Sequence, residues 1–258
     1  MRAPMIPLLA LLAMPADAAE EVDLELLLMV DVSRSMSSAE LEIQRQGYVA
    51  ALRSDSVAAA LGRALTGRIA LAYVEWAGEK RQRIIQDWVL IEGREDLFVV
   101  AEVLANDQST TQSRTSISGA LRYGAAYLDA NDFNGMRRVI DISGDGPNNQ
   151  GGTVPAIRDA VVARGITING LPLMTQDGVF MRIPDLDAYY QNCVIGGPGA
   201  FLVPVYKWED FGPAVTQKLV LEIAGLPPER LIPVQAAAPY DCEVGEKLWR
   251  RMRMDSDF

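Results

Sequence analysis

The chain has 258 residues, 49% of them hydrophobic and 22% charged, a globular composition that excludes a disordered, collagenous or disulfide-dense scaffold. A net charge of −10 opposes a sequence-independent grip on phosphate backbones, so nucleic acid is not an expected partner. Histidine is absent, which removes Ser-His-Asp and Cys-His nucleophilic sites and every His-containing zinc site, and two cysteines are too few for a four-thiolate zinc centre or an iron–sulfur cluster.

Residues 1–18 read as a signal peptide. Arg2 gives a weakly positive start, Met5 to Met14 is an apolar run, and Pro15 precedes the small-x-small pattern Ala16-Asp17-Ala18. That run is too short to span a bilayer, and no later segment is apolar for long enough, so no stable membrane insertion is expected. The expected location is outside the cytoplasm, periplasmic or secreted. In an oxidising compartment an even pair of cysteines is most simply a disulfide, so Cys193 and Cys242 are expected to be bridged. The bridge would pin a tail, residues 226–258, to a domain spanning 19–225.

Val22 to Val32 predicts a strand, and its unbroken apolar stretch Leu26 to Val30 suits a central strand covered on both faces. Ser37 and Ser38 offer N-caps for a long helix over 39–61. Arg68 to Trp76 and Arg83 to Ile91 predict two more strands, joined by a hairpin-length turn and therefore antiparallel. Short helices follow over 97–104 and 118–128, then a strand over 138–143 and a helix over 154–164 ending at Gly165. Strands are expected at 166–171 and 200–206, with an irregular insertion over 173–199 between them. A final helix over 207–224 stops at Gly225. Strand–helix alternation of this kind predicts an α/β fold: a doubly wound, mostly parallel six-stranded sheet, one antiparallel edge strand, helices on both faces.

Ligands bind such sheets beyond the carboxyl ends of the strands, where strand order reverses. Asp31-Val32-Ser33-Arg34-Ser35 follows the first strand, Asp145 follows the strand at 138–143 within Ser143-Gly144-Asp145-Gly146, and Thr115 precedes the helix at 118–128. If the first strand and the strand at 138–143 are neighbours, these loops share one rim. Two carboxylates with several hydroxyls, and no nitrogen or sulfur donor, suit a hard cation: Mg²⁺, with Mn²⁺ or Ca²⁺ as alternatives. Asp141 reads as a buried, hydrogen-bonded strand residue and Glu75 as a solvated residue at a strand end. Asp185 and Asp187 read as the start of a short helix, and Arg250 to Arg253 as a solvated helix face.

The D-x-S-x-S of Asp31, Ser33 and Ser35, with Thr115 and Asp145 in order after it, resembles the metal-ion-dependent adhesion site of von Willebrand factor type A domains. The resemblance covers about residues 22–225 and implies the Rossmann-like fold of that family, in an exported bacterial branch without an assigned function. It also implies a bound cation held by Asp31, Ser33, Ser35, Thr115 and Asp145. Ser-Gly-Asp-Gly stands where the family carries Thr-Asp-Gly, and the loop Pro147 to Gly152 departs from its pattern. The function expected is an adhesion or scaffold module, not an enzyme, that captures an Asp or Glu carboxylate of a protein partner through Mg²⁺. The alternative weighed is a metal-dependent hydrolase on a Rossmann-like sheet. It lacks the second aspartate of a D-x-D pair, because Ser33 stands there, and neither a phosphate loop nor a G-x-S-x-G elbow occurs.

Overall fold

The computed structural model describes residues 19–175, 183–225 and 240–256. The expected signal peptide lies outside these residues, as do 176–182 of the insertion and 226–239 of the tail. The strands are β1 (Glu20–Val22), β2 (Leu24–Asp31), β3 (Ile69–Trp76), β4 (Gln82–Ile91), β5 (Phe133–Gly135), β6 (Arg138–Gly144) and β7 (Ile166–Pro172). The helices are α1 (Ser38–Leu52), α2 (Asp55–Leu61), α3 (Arg94–Asn106), α4 (Ile117–Leu128), α5 (Val154–Val162), α6 (Leu186–Tyr189), α7 (Phe211–Ala224) and α8 (Val244–Ser256). A π-helical turn covers Tyr190–Val194 and a 3-10 turn Trp208–Asp210.

The central sheet runs β4-β3-β2-β6-β7, parallel except for β4, which pairs antiparallel with β3. β2 explains its own apolar sequence. Leu24, Leu26, Leu28 and Val30 face the layer of α1, α2, α3 and α7, whereas Leu27 and Met29 face the layer of α4, α5 and α6. Alternate side chains of a strand point to opposite faces, so a strand covered on both sides is apolar on both. The exceptions in β2 are Glu25, which accepts from Asn131 and from Gly135 N–H, and Asp31 at its end.

Three expectations on secondary structure are corrected. The sheet has five strands rather than six: residues 200–206 run beside β7 with backbone bonds from Gly170 N to Phe201 O and from Val203 N to Gly170 O, but they make only isolated bridges. The helix over 39–61 is two helices, because the Ser54 hydroxyl accepts a hydrogen bond from Val57 N–H and starts α2 afresh. The first strand is divided at Asp23, whose carboxylate turns aside to accept from Thr66 and Gly67 N–H. Beyond the expected elements, β1 and β5 form a separate two-stranded parallel pair.

The insertion also has more order than its sequence suggests. Asp185 stands at the start of α6, and Cys193 lies in the π-helical turn. The expected disulfide is present, Cys193–Cys242, and it ties α8 to the insertion. Among the described residues no helix is long and apolar enough to cross a membrane.

Candidate metal site

Strand order places the site. From β2 the chain builds outward through β3 and β4, then returns to β6 on the other side of β2 and continues to β7. The reversal therefore falls between β2 and β6, with Asp31 at the end of one strand and Asp145 just past the other. Their registers match, Leu28 opposite Asp141 and Val30 opposite Ser143. This is the crevice where open α/β sheets hold ligands.

Four of the five expected ligands are joined by hydrogen bonds. Ser33 N–H donates to Asp31 Oδ1 at 2.7 Å, the Ser33 and Ser35 hydroxyls lie 2.9 Å apart, and the Ser35 hydroxyl donates to Asp145 Oδ1 at 2.7 Å. Alternate positions along the turning loop thus bring all three side chains inward. Gln44 of α1 holds the strand end, donating to Asp31 O at 2.9 Å, and a capping box of Ser37 and Glu40 fixes where α1 begins. Thr115 joins through the backbone: its N–H donates to Asn149 Oδ1 at 3.0 Å, and Asn149 N–H donates to Thr115 O at 2.9 Å. Thr115 and Ser35 line one cavity of about 500 Å³.

Charge and burial conflict here. Asp31 and Asp145 are both buried, and Asp31 Oδ2 has no hydrogen-bond partner. Burial, then the negative charge of Asp145, raises the Asp31 carboxyl well above the ordinary carboxylate range. A buried carboxylate oxygen without a partner is costly. A cation drawn to two carboxylates and neutral hydroxyls would remove that cost, and the all-oxygen donor set suits a hard dication. The residues therefore fit the expected metal.

Sequence reasoning missed several residues. Tyr190 is buried beside the site with its hydroxyl unpartnered, and Asp31 is among the charges that, after burial, raise its pKa. Only Gly fits at 144, since a Cβ there would lie 2.8 Å from the Tyr190 hydroxyl and 3.0 Å from Asp31 Oδ2. Asn148 also organises the rim, accepting from Ser118 N–H at 3.1 Å and donating to Glu246 of α8 at 2.6 Å. Nothing in the sequence spacing links Tyr190 or Glu246 to Asp31; only the fold does. Two readings change. Glu75 is buried rather than solvated, pairs with Arg83 at 2.8 Å and accepts from Ser109. Asp141 is buried as expected, but it forms an ion pair with Lys218 of α7 at 2.8 Å.

Comparison with known proteins agrees with this architecture. A pilus adhesin, SpaC from Lactobacillus rhamnosus GG, superposes with a TM-score of 0.58 at 12% identity over 82% of this chain and 31% of its own. Proximal thread matrix protein 1 from the mussel byssus gives 0.56 at 11% identity over 80% of this chain and 47% of its own, and is also known with a zinc-occupied MIDAS motif. A von Willebrand factor type A protein from Catenulispora acidiphila gives 0.52 at 11% identity, over 80% and 43%. The chain thus spans about half or less of the proteins it resembles. No curated protein sequence matches it. The fold is that of von Willebrand factor type A domains. Within that class the chain belongs to the family described as "Protein of unknown function (DUF1194)", which matches residues 21–227.

Proposed function

We propose that this protein is an exported binding module, not an enzyme, in which Asp31, Ser33, Ser35, Thr115 and Asp145 hold a divalent cation, Mg²⁺ in the first instance, for capture of a partner protein's carboxylate. The observation that carries the reading is the buried, unpartnered Asp31 Oδ2 beside Asp145 and the serine hydroxyls. The likeness to a pilus adhesin and to a byssus matrix protein with a zinc-occupied MIDAS supports it at the level of fold.

When bound, the cation supplies a Lewis-acidic position at an open rim, under-neutralised by two aspartates, where an outside carboxylate can replace water. The chain's own residues do the rest. Asp31 and Asp145 provide the charge, the hydroxyls provide neutral oxygens, and the loops laced by Asn148 and Asn149 hold them in place. Export rests on residues 1–18, which supply the apolar run and cleavage pattern of a signal peptide.

Affinity capture from the native cell envelope, in Mg²⁺ and in EDTA, tests the reading. Retention of a partner in Mg²⁺, its release by EDTA and by soluble acidic peptide, and its loss in Asp31→Ala and Asp145→Ala are expected. Capture that survives EDTA and Asp31→Ala unaltered would refute it.

A further inference from the structure

The cavity of about 500 Å³ that opens on Ser35 and Thr115 has a second wall that the metal site does not use. Its other lining groups include Arg34, Arg114, Asn149 and, from the C-terminal helix α8, Trp249. The Arg114 guanidinium lies over the Trp249 ring, 3.6 Å from the centroid. Arg253 stands one turn further along α8. In a chain of net charge −10, two arginines, Arg34 and Arg114, line this wall. Arg114 is also the one non-glycine with a positive φ among the described residues, at 77°. Left-handed backbone at a bulky residue is disfavoured and persists where the surroundings enforce it. Here the loop before α4 is pressed against Gly78, where a Cβ would lie 3.0 Å from Ser113 O and 3.4 Å from Arg114 Cβ.

The wall is built into the fold. The Cys193–Cys242 disulfide tethers the start of the tail, Glu246 accepts from Asn148 at 2.6 Å, and Gly245 sits so close to Asn148 O that a Cβ would come within 2.1 Å. Residues 240–256 lie outside the stretch that matches the family, 21–227, so α8 adds to the metal-site frame rather than belonging to it.

We propose that this cavity is a second anion subsite, so that the partner segment recognised is one carrying two carboxylates: one for the metal, the other for Arg34 and Arg114 against Trp249. The inference rests on the reading of the five oxygen ligands as a carboxylate-capturing metal site. A guanidinium stacked on an indole keeps its planar N–H edge for in-plane acceptors, which a carboxylate matches in two places. An apolar or basic segment reaching the metal would leave that edge unmatched.

The test uses capped glycine peptides of equal length carrying one Asp, or two Asp separated by zero to three glycines, titrated in Mg²⁺ into the full chain. Binding is read by calorimetric titration, which reports on every variant alike. For wild type the best diacid is expected to bind about tenfold more tightly than the monoacid, the scale of one charge-assisted contact. In Arg114→Gln the diacid-to-monoacid ratio is expected to fall to about one, and in Trp249→Leu to an intermediate value. A wild-type ratio of one at every spacing, or a ratio unchanged in both Arg114→Gln and Arg34→Gln, would overturn the second subsite alone. Failure of every acidic peptide to bind in Mg²⁺ would overturn the capture reading and this inference together.

Discussion

Asp141 and Glu222 are buried together on one side of the sheet, and Asp31 and Asp145 at its rim, but the two pairs are treated differently. The first pair brackets Lys218, itself 1% exposed, which bonds Asp141 at 2.8 Å and also contacts Glu222, while Asn169 donates to Glu222 at 2.8 Å. Around the second pair stand the neutral hydroxyls of Ser33 and Ser35. Asp31 Oδ2 finds no hydrogen-bond partner, and neither does Glu222 Oε2 in the first pair, so the difference lies in the ammonium beside the first pair. Burial without neutralisation is expensive in both places. In one the chain supplies the cation itself; in the other, on the function proposed above, the cation would come from outside. An internal ammonium makes a closed, structural cluster. A hydroxyl-lined rim at a strand-order reversal would, if the proposed function holds, make an exchangeable one.

Removing the internal cation is expected to have the largest effect. Lys218→Met leaves two buried carboxylates without their counter-charge and should cost about 3–5 kcal/mol in denaturant unfolding at neutral pH. The loss should shrink near pH 5, because burial first and then Glu222 push the Asp141 carboxyl up to about 7, so that a proton can stand in for the ammonium. Insensitivity to Lys218→Met would erase the contrast between the two pairs.

A smaller effect concerns pH in the wild type. Asp141 is raised from 3.8 to about 7, so the folded state holds a proton there that the unfolded chain releases. Its contribution to stability is complete below the unfolded value and is lost as pH rises through about 7. The groups facing it are Lys218 and Glu222 on α7, Tyr48 on α1 and Tyr190 of the π-helical turn. Asp141→Asn should flatten the fall in stability between about pH 4 and 7, read from melting temperatures across that range. An unchanged slope would assign the titration to another group.

Thr115→Ala should be the mildest of the changes. Water can replace a neutral hydroxyl, so Mg²⁺ affinity, measured by calorimetric titration, should weaken without being abolished. Complete loss would give Thr115 a larger share of the site than its hydroxyl explains.

The contrast also shows what a sequence can carry. Asp31, Ser33 and Ser35 were legible because alternate spacing after an apolar strand is local, and Asp145 because it follows a second buried strand. The β3–β4 hairpin was legible from its short turn. Lys218 was not, since a single lysine on a helix of ordinary pattern reads as solvated, and only its position opposite Asp141 makes it a core residue. The edge of the sheet was misread at 200–206, where residues of strand-forming type lie beside β7 yet form isolated bridges instead of a ladder. Tyr190, Arg114 and Trp249 reach the rim from three separate segments, and no spacing rule connects them. The tail looked like an appendage because its contacts, through Cys242, Glu246 and Trp249, are all long-range.

The central claim, that the rim takes up a cation from outside, is tested most directly by comparing wild type with Asp31→Asn in thermal unfolding, each in EDTA and in Mg²⁺. In EDTA the variant should be at least as stable as wild type, because beside Asp145 it loses a buried carboxylate, one oxygen of which has no partner. In Mg²⁺ at a hundredfold excess over Kd the wild type alone should gain, by about 2.7 kcal/mol. Equal Mg²⁺-induced gains in both proteins, or a variant strongly destabilised in EDTA, would contradict the account.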